Sequence, residues 1–203
     1  MNTQQIGTSM KSTRTIARTV GTLLLAAFLL YGVGNAIATN AASGEGMQAL
    51  GVGMMLANSA AVLTIGVVLV PVLRPHSPAV ARVYLATRIF EATFLALGAI
   101  ALLVGAADVN FVAYNVGMAG LGIGSLFFSA LLYRSRLVPR FLAVWGFVGY
   151  AAFAAGSLLE LAGVAGAGLV GAAPGGLFEI FFGVWLLVRG FTHVENASSR
   201  NRS

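Results

Sequence analysis

Three ionisable side chains fall inside otherwise apolar stretches of the chain: Arg88, Glu91 and Glu179. An ionised group at membrane depth costs at least ~2.5–3.5 kcal/mol on insertion scales, so each demands a partner or a task. Arg88 and Glu91 stand three residues apart and share a helix face. At ~1.5 Å of rise per residue, Glu91 lies ~13 Å inward of Arg82, and Glu179 lies ~15 Å inward of Arg189. Two carboxylates therefore reach nearly equal depth, with Arg88 slightly nearer the basic side. Gly176 and Gly183 leave one face bare around Glu179, where another helix can approach closely. The expectation is that helices three and six meet there, with Arg88 held between Glu91 and Glu179. With one arginine between two carboxylates, one of them can remain protonated. A structural ion pair locking two helices is weighed ahead of a proton or ion relay or a substrate site.

A second candidate is a polar face on helix four. Asn115, Met118, Gly122, Ser125 and Ser129 recur at three- and four-residue steps, with Gly117, Gly120 and Gly124 beside them. Small residues at such spacing pack helices more often than they line a pathway, so Asn115, Ser125 and Ser129 are read first as an interface. Asn35 and Asn58 add single amides to helices one and two. Glu160, ~30 Å from Arg140 by the helix rise, is expected at the far interface in water. His76 and His193 have no second ligand nearby and read as surface histidines. The chain lacks cysteine, which excludes thiolate metal sites, disulfides and thiol catalysis. GxGxxG, Walker A, HExxH and GxSxG are also absent. No metal, cofactor or catalytic role is expected. Carboxylates can do acid–base work on a lipid, but no nucleophile accompanies them.

The elements that must position these residues follow from composition. Of 203 residues, 58% are hydrophobic and 9% charged, against about 25% charged in soluble domains. With a mean hydropathy of +0.89, the chain belongs with multi-span membrane proteins. A spanning helix needs ~20 mostly apolar residues. Six stretches qualify, at about 17–38, 47–73, 82–105, 110–133, 140–162 and 173–190, forming one membrane domain over 16–191. Residues 1–15 and 192–203 read as disordered tails. Pro174 suits the first turn of the sixth helix. That helix is the shortest and has a glycine-rich approach, so five spans with a re-entrant segment is the alternative. Alternation of the kind outer-membrane barrels need is missing. The first apolar run is nearer a full span than a signal h-region and is read as a retained helix.

The arginines orient the bundle. Lys11, Arg14 and Arg18 precede helix one; Arg74 and Arg82 lie between two and three. Arg134, Arg136 and Arg140 lie between four and five, and Arg189, Arg200 and Arg202 close the chain. With six spans all these segments share one side, while the opposite loops hold only Glu45, Asp108 and Glu160. Lys/Arg excess marks cytoplasmic loops, so both termini are expected in the cytoplasm. Basic residues split into four flanking groups argue for contact with the lipid bilayer and its anionic headgroups, and against nucleic acid. Tyr84, Tyr133, Trp145 and Trp185 read as an interfacial belt. Asn196-Ala197-Ser198 matches a glycosylation sequon but lies on the expected cytoplasmic side.

The stretch Leu131-Leu132-Tyr133-Arg134-Ser135-Arg136-Leu137-Val138-Pro139-Arg140-Phe141-Leu142 resembles the signature between spans four and five of the bacterial "domain of unknown function 4386" family. Arg88-Ile89-Phe90-Glu91-Ala92 and Phe178-Glu179, with Trp185 to Gly190, are similar to its pattern, over about residues 14 to 191. The resemblance implies a six-helix integral protein of a bacterial cytoplasmic membrane and carries no catalytic residues with it. An all-α bundle of six transmembrane helices is therefore expected, acting as a membrane-embedded structural or sensor subunit and not as an enzyme. The alternative is a small proton- or ion-coupled transporter using Arg88, Glu91 and Glu179. A homo-oligomer is compatible with either.

Overall fold

In hydrocarbon a backbone can satisfy its polar groups only within a helix or a closed barrel, and each of the six apolar stretches is a helix. The computed structural model describes residues 3–40 and 44–192, with side chains from Thr13 onward. The helices are α1 (Thr3–Ala38), α2 (Glu45–Leu73), α3 (Pro78–Leu103), α4 (Ala107–Ser135), α5 (Arg140–Leu161) and α6 (Ala167–Val188). All six are long and apolar enough to cross a membrane, which removes the five-span alternative.

Two boundaries differ from expectation. The helical backbone of α1 begins at Thr3, so residues 3–15, expected as a disordered tail, continue the helix. At the other end, α6 begins at Ala167 and not near 173, which puts Pro174 inside the helix instead of in its first turn. The earlier start has a local cause. Gly166 adopts φ 82°, a left-handed conformation that glycine takes without a Cβ penalty. The Glu160 carboxylate then accepts from Gly166 N at 3.2 Å and Gly168 N at 2.7 Å, satisfying orphan donors of the new helix. Glu160 is thus a partly buried helix cap and not a freely solvated carboxylate. His193, the Asn196-Ala197-Ser198 sequon, Arg200, Arg202 and the rest of the 193–203 tail lie outside the described residues.

Each helix packs against its neighbours in the chain, and α1 closes against α6, giving a ring in which α3 and α6 stand opposite each other. Lipid tails are as apolar as leucine, so close packing, and not hydrophobicity, must hold the helices together. Glycines mark the seams. A Cβ on Gly149 would come within 2.9 Å of Gly175 Cα, and one on Gly156 within 2.8 Å of Gly171 Cα, zipping α5 to α6. On α4, Gly117, Gly120 and Gly124 accept Phe94, Phe90 and Thr87 of α3. The seam between α1 and α6 is different. It is tight at Gly21, whose Cβ would stand 2.6 Å from Gly183 O, yet Gly32 further along α1 has nothing within 4 Å.

One end of the ring carries every described arginine except Arg88; the other carries Glu45, Asp108 and Glu160. The main core, with Leu69, Leu73, Phe128, Leu132, Leu142 and Leu186, fills the arginine-rich half. A small second cluster (Ala38, Val52, Met55, Ala99 and Leu102) ties α1, α2 and α3 together near the opposite end. The remaining interior of that half is where the bundle has room.

Candidate functional site

Arg88 sits midway along α3 and is 1% exposed. Its stem fits because α2 presents Gly66, where a Cβ would stand 2.7 Å from the Arg88 Cβ. Every nitrogen of the guanidinium has an acceptor. Nε donates to Tyr84 Oη at 2.9 Å, Nη1 to Glu91 Oε2 at 2.8 Å and Nη2 to Glu179 Oε1 at 3.5 Å. Tyr150 of α5 donates its hydroxyl to the same Glu179 oxygen at 3.0 Å. The cluster therefore draws on three helices through polar contacts, and a fourth makes space for it.

The expected meeting of Arg88, Glu91 and Glu179 is present, but its architecture differs from the expected helix pairing. α3 and α6 do not pack on each other at that height; the Arg88 and Glu179 side chains bridge the middle of the ring. The glycines beside Glu179 serve α1 instead: Gly176 receives Phe28 and Gly183 receives Gly21 and Leu25. The two ion pairs are unequal. At 2.8 Å, Glu91 holds a full charge-assisted bond; at 3.5 Å, Glu179 is at the limit of one. Among the described residues, Glu91 Oε1 and Glu179 Oε2 hold no hydrogen bond.

Those carboxylates face a cavity of about 240 Å³, lined also by Phe28, Tyr31, Asn58, Tyr114 and Phe153. Arg88 does not line it. Asn58, 3% exposed, borders this chamber with its amide unpaired among the described residues. Toward the end opposite the arginines a second space of about 460 Å³ follows, bordered by Asn35, Thr39, Asn110, Asn115 and Glu160. Tyr31 and Tyr114 line both spaces, their rings stacked with centroids 5.3 Å apart. The outer space is a vestibule, the inner one a chamber, and the tyrosine pair lies between them.

Below the charges a layer of aromatic rings packs across the middle of the bundle. Tyr84 stacks on Phe128 at 4.4 Å, Phe128 meets Phe182 edge-on at 6.1 Å, and Phe182 stacks on Phe178 at 5.4 Å. Tyr150 closes this aromatic floor against Phe178 at 5.5 Å.

The polar face of helix four is divided by this arrangement. Asn115 lines the vestibule and donates to Phe111 O at 3.0 Å, while Met118 borders the chamber. Gly122 packs onto Ala154 of α5. Ser125 and Ser129 are fully buried, with hydroxyls that have no hydrogen-bond partner among the described residues, and border neither space. The stripe is an interface and not a continuous pathway. Of the expected interfacial aromatics, Tyr133 is 41% exposed and takes Arg140 over its ring at 5.1 Å. Tyr84, at 2% exposed, belongs instead to the charge cluster. Its signal was present in the sequence, since Tyr84, Arg88 and Glu91 follow the i, i+4, i+7 spacing of one helix face. Tyr31, Tyr114 and Tyr150 gave no such signal. No group of three or more metal-ligating side chains occurs among the described residues.

Six long apolar helices closed into a ring around a buried charge cluster define a multi-pass membrane protein. A family model described as "Domain of unknown function (DUF4386)" matches residues 14–190, and the chain belongs to that family. Neither a curated protein nor a solved structure matches it.

Proposed function

We propose that the protein is a small proton- or ion-coupled membrane carrier whose coupling site is Arg88, Glu91 and Glu179. One observation carries this reading: both carboxylates border a single cavity, while the guanidinium that serves them both is turned away from it. One positive charge cannot offset two carboxylates, so a proton or cation reaching Glu179 competes with Arg88 for it. Its arrival favours Arg88 on Glu91, and its departure favours Arg88 shared between the two. That supplies two arrangements whose populations an ion can shift.

The Lys/Arg excess supports a cytoplasmic position for the arginine-rich end and an outside position for the vestibule, with the arginines against anionic headgroups of a bacterial cytoplasmic membrane. A structural or sensor subunit is the second reading, favoured by the aromatic floor that closes the cytoplasmic half.

Purified protein in liposomes separates the two. The carrier shows pH-dependent ion flux that is lost in Glu179→Gln. Absence of flux in folded wild-type protein, with function retained in an Arg88→Leu/Glu91→Leu/Glu179→Leu variant, supports the subunit reading.

A further inference from the structure

We propose that the chamber binds a small monovalent organic cation, a protonated amine, with its charge at Glu179 and its carbon skeleton against aromatic walls. This rests on the reading of Glu179 as a carboxylate open to a solute.

The sign of the ligand follows from which charges face the space. Glu91 and Glu179 border it, whereas every nitrogen of Arg88 is committed to Tyr84, Glu91 or Glu179. An anion would meet two carboxylates and no free cation; a cation meets the weakly compensated Glu179. Size argues against a proton or a bare metal ion as the sole occupant. An apolar cavity of ~150 Å³ accommodates benzene, and this one holds about 240 Å³. Hard cations take six or more oxygen ligands, but most of this lining is carbon. Phe28, Tyr31, Tyr114 and Phe153 offer ring surface to an onium group, which is attracted to aromatic faces. Asn58 supplies the independent sign of a missing partner: the residue is 3% exposed, its amide makes no hydrogen bond among the described residues, and it borders the chamber. An amide that borders such a space without a protein partner keeps its hydrogen-bonding capacity for an occupant, and an ammonium N–H is a donor its oxygen can accept. The stacked Tyr31 and Tyr114 border both the chamber and the vestibule.

The test is calorimetric titration of the whole chain in nanodiscs with benzylammonium, its uncharged counterpart benzyl alcohol, and sodium. Saturable binding of benzylammonium is expected, with benzyl alcohol and sodium each weaker by about tenfold or more. Glu179→Gln is expected to remove that preference for charge. Should Glu179→Gln fail to fold, Asn58→Leu and Tyr114→Leu are expected to weaken benzylammonium by a smaller factor. Benzyl alcohol binding as tightly as benzylammonium, or folded wild-type protein binding neither, overturns the proposal. Ion flux in liposomes that depends on Glu179 without benzylammonium binding leaves the carrier and sinks the organic ligand. Binding without flux keeps the cation site and removes the carrier.

Discussion

Helix α6 has two flanks, and they are built differently. Toward α5 it presents Gly171 and Gly175 to Gly156 and Gly149, so the backbones touch along the seam. Toward α1 its close approaches at Gly176, Gly183 and Leu187 lie against Phe28, Leu25 and Gly21, and further along α1 the helices part around Tyr31 and Gly32. Both flanks are apolar and both are rich in small residues. What separates a sealed seam from a solute-sized space is whether glycine faces glycine on both sides. Ring closure is therefore uneven, and the chamber lies on the weakly closed side, with Glu179 on the helix shared by both flanks.

The difference is breakable at the zipped seam. A side chain at Gly156 would meet Ala167 O at 2.5 Å and Gly171 Cα at 2.8 Å, both backbone, so nothing flexible can yield. Gly156→Val is expected to cost about 3 kcal/mol or more, as overpacking does where the backbone must move. Thermal unfolding in detergent should show the loss. Arg88→Leu is expected to be of comparable severity. It leaves two carboxylates buried without a counter-charge, a loss of about 3–5 kcal/mol in soluble cores. The double variant Arg88→Leu/Glu91→Leu should recover much of the lost midpoint. If the double is no more stable than the single, Glu91 is not the principal partner of Arg88.

Smaller effects sharpen the comparison. Glu160→Gln weakens the cap on α6 and should cost about 1 kcal/mol, with hydrogen exchange rising at residues 166–170 and not elsewhere. At the open seam, a Cβ on Gly32 has nothing within 4 Å, and Gly32→Leu should change stability by only about 0.5 kcal/mol. The chain contains no cysteine, so a single Asn58→Cys reports access without background. Its labelling by a small thiol reagent should slow sharply when Gly32→Leu is added. Equal rates in both variants would mean that solutes do not reach Asn58 past Gly32.

How much of this was legible in the sequence depends on whether the cause is local. Hydropathy and helix rise gave the six helices and placed Arg88, Glu91 and Glu179 at one depth, since both depend on counting along the chain. The start of α6 was misread because Pro174 is a frequent first-turn residue. The true start is set by a carboxylate reaching forward from Glu160 to Gly166 and Gly168. Pairing α3 with α6 was wrong for a different reason. Depth says which residues share a level, but only the order of helices around the ring says which are neighbours. Tyr84 was within reach, at one helical turn from Arg88. In the sequence it reads as an interfacial aromatic, because its distance from the basic end fits either place. Tyr150, Tyr31 and Tyr114 come from helices brought together only by ring closure, and nothing in their flanking residues marks them.

The notch at Gly66 has a mechanical consequence. It grips the root of the Arg88 side chain while the guanidinium at its tip lies between two partners at 2.8 and 3.5 Å. A long side chain clamped at its base behaves as a lever, so transfer of its charge from one carboxylate to the other is a swing of the tip that requires no sliding of helices. α2, which gives no ionised group to the cluster, is the bearing on which that lever turns.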